Sequence, residues 1–139
     1  MIKKNIITNA PKPVGNYPHS VEINGMLYLS GIGPRSPIDN IISGNEYDTS
    51  GSLVKYDIEQ QTHTVFNNIK IILEESNSSW ENLIDITVFL TDMKTDFKRF
   101  NEIYNLYFLK GHACRTTIEV NALPTDIAVE LKCISLINK

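Results

Sequence analysis

The sequence predicts an α+β domain in which a mixed β-sheet carries two helices packed on one face. Three observations lead there. Ser20-Val21-Glu22-Ile23 and Met26-Leu27-Tyr28-Leu29 flank Asn24-Gly25, a dipeptide suited to a type I′ hairpin because both turn positions need positive φ. Two stretches, one from Asp57 and one over about 95–109, repeat apolar side chains every three or four residues, the period of a helix face. Residues 84–91 alternate apolar and polar side chains, and 127–136 place apolar ones on both sides, as strands do. The order is β-β-α-β-α-β-β, and strand-helix-strand units with long helices imply crossovers that leave both helices on one side of the sheet.

Taken in order, residues 1–9 hold a short Ile-rich strand candidate, and Pro11 and Pro13 then favour an extended loop. Gly15 and Pro18 keep the next residues irregular, so the segment with Tyr17 and His19 is either a lid or an ordinary connection. After the hairpin, residues 31–56 are rich in Gly, Pro, Ser, Asn and Asp, which predicts a long loop with one short strand near 53–56. Loops of this length inside a domain are uncommon and often functional. Arg35 sits at its start. Asp57 with Gln60 three residues on reads as a capping box, and Ile58, Thr62, Val65, Ile69 and Ile72 form the apolar stripe of the first helix. His63 lies off that stripe, as a solvated or rim histidine. Asn77-Ser78-Ser79 ends the helix before a short turn at 80–83. The aromatic stripe of the second helix, Phe97, Phe100, Tyr104 and Tyr107 among others, is core packing, and Gly111 stops the chain before the last two strands.

A chain of 139 residues is expected to be one domain, 1–139, large enough for a real core. Its composition, 42% hydrophobic and 21% charged, is that of a soluble globular protein. No apolar run reaches the ~20 residues of a membrane span, and the start is too polar for a secretory signal. A cytoplasmic location is therefore expected. Cys114 and Cys133 form no C-x-x-C pair, so reduced thiols are expected. A net charge of −3 and scattered Lys and Arg argue against a nucleic-acid surface. His19, His63 and His112 form no ligand pattern, so neither metal nor cofactor is expected.

Two strand charges need a reason. Arg115 shares a face with Thr117 and Glu119, and Glu130 shares one with Ala128, Lys132 and Ile134. One explanation is a structural ion pair or a strand with one wet face. The other is a carboxylate-binding Arg beside a water-activating Glu. The strand at 127–136 is also apolar on both sides, with Ile127, Val129 and Leu131 opposite Ala128, Ile134 and Leu136. Two helices cover only one face, so the other is expected to meet another subunit.

Arg115-Thr116-Thr117-Ile118-Glu119-Val120, then Leu123-Pro124, then Val129-Glu130-Leu131-Lys132 resembles the C-terminal signature of the RidA (YjgF/YER057c/UK114) family of enamine/imine deaminases. Val14-Gly15-Asn16-Tyr17-Pro18-His19 resembles its Gly-Pro-Tyr segment, Leu29-Ser30-Gly31 its Ser-Gly, and Thr87-Val88-Phe89-Leu90-Thr91-Asp92 its central strand. Within the family, Gly33-Pro34-Arg35, the long segment to Tyr56 and the helix start look most like 2-aminomuconate deaminase. The resemblance implies a chorismate-mutase-like fold, a homotrimer with sites between subunits, and a pocket lined by Tyr17 and Ser30. It also implies a reaction. Hydrolysing an imine that bears a carboxylate requires the acid to be held, for which the planar guanidinium of Arg115 is suited. It also requires a water to be aimed and a proton delivered to nitrogen, for which Glu130 is suited. Arg35 is the candidate partner for a second carboxylate. Asn16 stands where the family usually has Pro, and Thr117 where many members have Cys. A non-catalytic binding module and an RNA-cleaving translation inhibitor are the alternatives.

Overall fold

The computed structural model describes Met1–Lys139. A short strand, β1 (Lys3–Asn5), pairs with β2 (Ser20–Ile23), which turns into β3 (Met26–Leu29). The turn is the expected one, with φ of 51° at Asn24 and 77° at Gly25. The long loop follows and is not wholly irregular: β4 (Glu46–Tyr47) and β5 (Leu53–Lys55) pair as a separate two-stranded ribbon.

Helix α1 (Ile58–Glu75) starts at the predicted cap, where Asp57 Oδ1 accepts from the Gln60 backbone N–H at 3.1 Å and Gln60 Nε2 donates to Asp57 Oδ2 at 3.0 Å. Such caps contribute about 1 kcal/mol. A single 3₁₀ turn (Trp80–Asn82) leads into β6 (Leu83–Leu90). Helix α2 (Met93–Tyr107) begins two residues before the predicted position, because Asp92 caps it by accepting from the Thr95 N–H at 3.0 Å. The chain ends in β7 (Cys114–Glu119) and β8 (Val129–Leu136).

The main sheet has six strands in the order β1-β2-β3-β8-β6-β7. Only β6 and β7, joined across α2, are parallel. Although consecutive in sequence, β7 and β8 are not neighbours, because β8 returns antiparallel on the other side of β6. One face of the sheet supplies Leu27, Leu29, Ile86, Val88, Leu90, Val129 and Leu131 to a core closed by Val65, Phe66, Ile69 and Ile72 of α1 and Phe100 and Ile103 of α2. Each such buried side chain contributes roughly 1.5–3 kcal/mol. Both helices lie on that face, as predicted, and the other face has none. There Tyr28, Ile118 and Leu136 remain 40%, 40% and 42% exposed. No helix is long and apolar enough to cross a membrane.

Candidate active site

The N-terminal loop folds back over the end of the hairpin and is tied there by His19. This side chain is buried, accepts from the Ile7 N–H through Nδ1 at 2.9 Å and donates from Nε2 to the Pro11 carbonyl at 2.8 Å. Since Nδ1 accepts, the ring is the neutral Nε2–H tautomer. Ser30 continues the tie: its N–H donates to the His19 carbonyl at 3.0 Å and its hydroxyl to the Pro18 carbonyl at 2.7 Å. The loop thus carries Tyr17 to the mouth of an open cleft lined also by Gly31, Gly33, Arg35, Thr125, Ile127 and Glu130. A second hollow, which shares Tyr17 and Arg35 with it, is lined also by His19 and Ser30. The fold therefore brings together four of the five predicted site residues: Tyr17, Ser30, Arg35 and Glu130.

Glu130 is half-buried on the helix-free face of β8, opposite Phe89. Its carboxylate lies against Gly31, where a Cβ would come within 2.8 Å of Oε1. No cation pairs with it. The nearby Lys132 instead donates to the Leu29 carbonyl at 3.0 Å. Burial accordingly pushes the Glu130 carboxyl above the usual carboxylate range. Arg35 also lacks an anionic partner. Its Nη1 donates to Asn40 Oδ1 at 3.0 Å and its Nη2 to the Lys12 carbonyl at 2.6 Å, both neutral acceptors, so the cleft holds a fixed cation whose charge is not neutralised.

Arg115 is elsewhere. It sits in register with Ile86 of β6, whereas Glu130 is in register with Phe89. Those two β6 residues are an odd number apart, so Arg115 and Glu130 project from opposite faces of one sheet. The sequence reading of an Arg beside a Glu does not hold within a single chain, because β6 lies between their strands with that offset. On its own face Arg115 has no carboxylate partner; its guanidinium carbon lies 4.5 Å from the centre of the Tyr104 ring and 5.9 Å from that of Phe97. Burial raises the Tyr104 phenol's pKa while the Arg115 cation pulls it down. Two residues along, Thr117 Oγ1 is buried with no hydrogen-bond partner. A guanidinium held over an aromatic ring with no carboxylate partner is suited to a planar anion.

Sequence reasoning missed the residues that hold the cleft together. Buried Asn68 donates from Nδ2 to the Gly33 carbonyl at 3.0 Å and the Arg35 carbonyl at 2.8 Å. Buried Gln61 accepts from the Ala128 N–H at 2.8 Å and donates to Asn45 Oδ1 at 3.0 Å. The available signal was positional, for Gln61, Val65, Asn68 and Ile72 follow helical spacing, and an amide on a buried stripe needs partners. His63 is a rim residue, as read, with Nδ1 2.7 Å from the Tyr107 hydroxyl. Cys114 and Cys133 are free thiols, the buried Cys133 pushed up to about 12.

Known proteins share this chain's sequence pattern and architecture. Residues 7–137 match the family model described as Endoribonuclease L-PSP. A RutC family protein of Pyrococcus abyssi is 36% identical over 136 residues, covering 97% of this chain and 98% of the relative. Reactive Intermediate Deaminase A of Arabidopsis thaliana chloroplasts is 31% identical over 96% of this chain and 66% of its own. Among solved structures, yeast YEO7 superposes with a TM-score of 0.83 at 29% identity, covering 99% of this chain and 100% of the other. E. coli TdcF with bound serine gives 0.81 at 27% identity, covering 98% and 99%. Sequence and architecture lead to one assignment, and the chain belongs to the RidA/RutC family, the one described by the Endoribonuclease L-PSP model.

Proposed function

We propose that this protein is an enamine/imine deaminase, a hydrolase that converts a small carboxylate-bearing 2-amino-enoate or its imine to the oxo acid and ammonia, at a site completed between copies of the chain in a homotrimer. The observation that carries this reading is the pair of unpartnered charges: Glu130, half-buried with a raised pKa in the cleft, and Arg115, stacked on Tyr104 on the opposite face. A second copy supplies what each lacks. The open apolar face with Tyr28, Ile118 and Leu136 gives the copies a surface to join through, and the unpartnered Thr117 hydroxyl suits a site that is incomplete in one chain. The relative named Reactive Intermediate Deaminase A supports the class of reaction.

In this reading the Arg115 guanidinium of one copy holds the substrate carboxylate, with Tyr17 and Ser30 of the other copy walling the cleft. Glu130, as carboxylate, takes a proton from water while the water oxygen bonds to the imine carbon and the C=N π electrons pass to nitrogen. The protonated Glu130 returns the proton to nitrogen. The hydroxyl proton of the resulting carbinolamine then passes through Glu130 to nitrogen as the C–N bond breaks, so that ammonia leaves and the carbon keeps its oxygen as the carbonyl of the oxo acid. A raised carboxyl pKa favours the return step.

The narrower substrate is 2-aminomuconate, whose second carboxylate would meet the Arg35 cation in the same cleft. The test is ammonia release from 2-iminopropionate and 2-aminomuconate by wild type and Glu130→Gln. Release that depends on Glu130 is the expected result, and binding with no release above the buffer rate would leave the second reading, a binding module, which the serine held by TdcF favours. RNA cleavage, the activity in the family model's description, is checked by incubating RNA with nuclease-free protein, and intact RNA is expected.

A further inference from the structure

Helix α1 holds the walls of the cleft through two buried amides seven residues apart, each bonded to a different wall. Asn68 gives both N–H groups of its amide to one wall, bonding the Gly33 and Arg35 carbonyls at 3.0 and 2.8 Å. Gln61 holds the other wall. Its Oε1 accepts from the Ala128 N–H at 2.8 Å, two residues before Glu130, and its Nε2 reaches Asn45, whose own amide donates to the Asp126 carbonyl at 2.7 Å. Both side chains are sealed, at 0% and 1% exposure, so loss of Gln61 leaves the buried Ala128 N–H without its acceptor, loss of Asn68 frees the part-buried Gly33 and Arg35 carbonyls, and either lets its wall move. Two turns of helix separate the two anchors. Between the walls lie the Arg35 cation and the Glu130 carboxylate.

From this we infer that Gln61 and Asn68 are separate positioning residues for the deaminase site: Asn68 sets where Arg35 presents its charge, and Gln61, with Asn45, sets the enclosure of Glu130. The inference rests on the deaminase reading for its kinetic consequences but not for its structural ones. Neither amide touches the cleft, so both act through the groups they hold.

The test pairs each amide with its charge. In kinetics on 2-iminopropionate and 2-aminomuconate, Asn68→Leu is expected to reproduce the substrate profile of Arg35→Ala, and the double variant to lose no more than ~2-fold beyond the worse single one. Gln61→Met is expected to lower kcat by ~10-fold or more and to move the pH limb set by Glu130 toward the ordinary carboxylate range, with KM within ~3-fold. A purely structural role would instead reduce the active fraction, lowering kcat equally at every pH and leaving limb and KM in place. Should Gln61→Met fail to fold, Asn45→Ala in the half-exposed loop carries the same test with a smaller shift, and Asn68→Asp replaces Asn68→Leu. If wild type releases no ammonia, the deaminase reading falls, and two measurements still decide the inference. The NMR titration of the Glu130 carboxyl should move in Gln61→Met and not in Asn68→Leu. Amide hydrogen exchange should quicken at 33–36 in Asn68→Leu and at 126–130 in Gln61→Met. Additive double variants, or both walls loosening in both variants, would overturn it.

Discussion

Glu130 rests its carboxylate on the bare α-carbon of Gly31, so closely that a methyl group there would stand 2.8 Å from Oε1 and 3.1 Å from the carboxyl carbon. The contact gives glycine a role at this position, since any side chain here would displace the carboxylate, although no positive φ demands one. Gly31→Ala is expected to push the carboxylate off its place and lower kcat by ~10²-fold, the scale of losing a positioned acid–base group. Stability should fall by only about 1–3 kcal/mol, as for local overpacking. Steady-state kinetics beside a thermal melt checks both, and unchanged kcat would show that the carboxylate works from another position.

The raised pKa of Glu130 makes a signed prediction about pH. In the proposed reaction the carboxylate is the form that accepts the water proton, so kcat/KM should climb with pH through a limb above the ordinary Glu range. Glu130→Gln should remove that limb and lower kcat by ~10²-fold or more. Stability runs the other way. Because folding raises this pKa, the folded state favours the protonated acid; the stability this gives is fully present below the unfolded pKa and is lost as pH rises through the folded value. Glu130→Gln should therefore melt no lower than wild type at neutral pH, and a clear drop there would reassign Glu130 to structure.

Legibility from sequence followed the range of the interactions. The hairpin and the α1 cap were readable because Asn24-Gly25 and Asp57 with Gln60 act within four residues. The start of α2 falls two residues before its predicted position because Asp92, the last residue of the strand motif, also caps the helix. Arg115 and Glu130 stood out as charges among apolar strand neighbours. Their relation did not, since it depends on β6 lying between β7 and β8 with an odd offset, a long-range register that no local period encodes. Gln61 and Asn68 were hidden within a helical stripe that reads equally well as packing.

Arg35 gives a prediction in substrate preference. Its guanidinium is fixed in the cleft by Lys12 and Asn40 and has no carboxylate partner. An unpaired acid brought into a half-buried cleft loses hydration without return. Losing one partner of such a pair costs roughly 2–5 kcal/mol. Arg35→Ala should therefore suppress 2-aminomuconate turnover while leaving 2-iminopropionate near wild type, and Arg115→Ala should suppress both. Equal loss on the two substrates for Arg35→Ala, or none on either, would leave the general deaminase as the better description.

The separation of Arg115 from Glu130 by the sheet yields the sharpest test, because it concerns which chain supplies which group. If each site takes Arg115 from one copy and Glu130 from another, Arg115→Ala and Glu130→Gln chains are each inactive alone, yet together they assemble some sites with neither defect. Random equal mixing in a closed ring leaves roughly a quarter of the sites intact. Refolding the two variants together should therefore recover about that fraction of wild-type kcat, whereas mixing them without dissociation should recover none until subunits exchange. A single-chain site predicts no recovery under any mixing. The same experiment reads assembly through the open face: a charge placed at Ile118, which is 40% exposed beside Phe89, should hold the chains apart by light scattering. It should also abolish the recovery without unfolding the monomer, since its own core lies on the other side of the sheet.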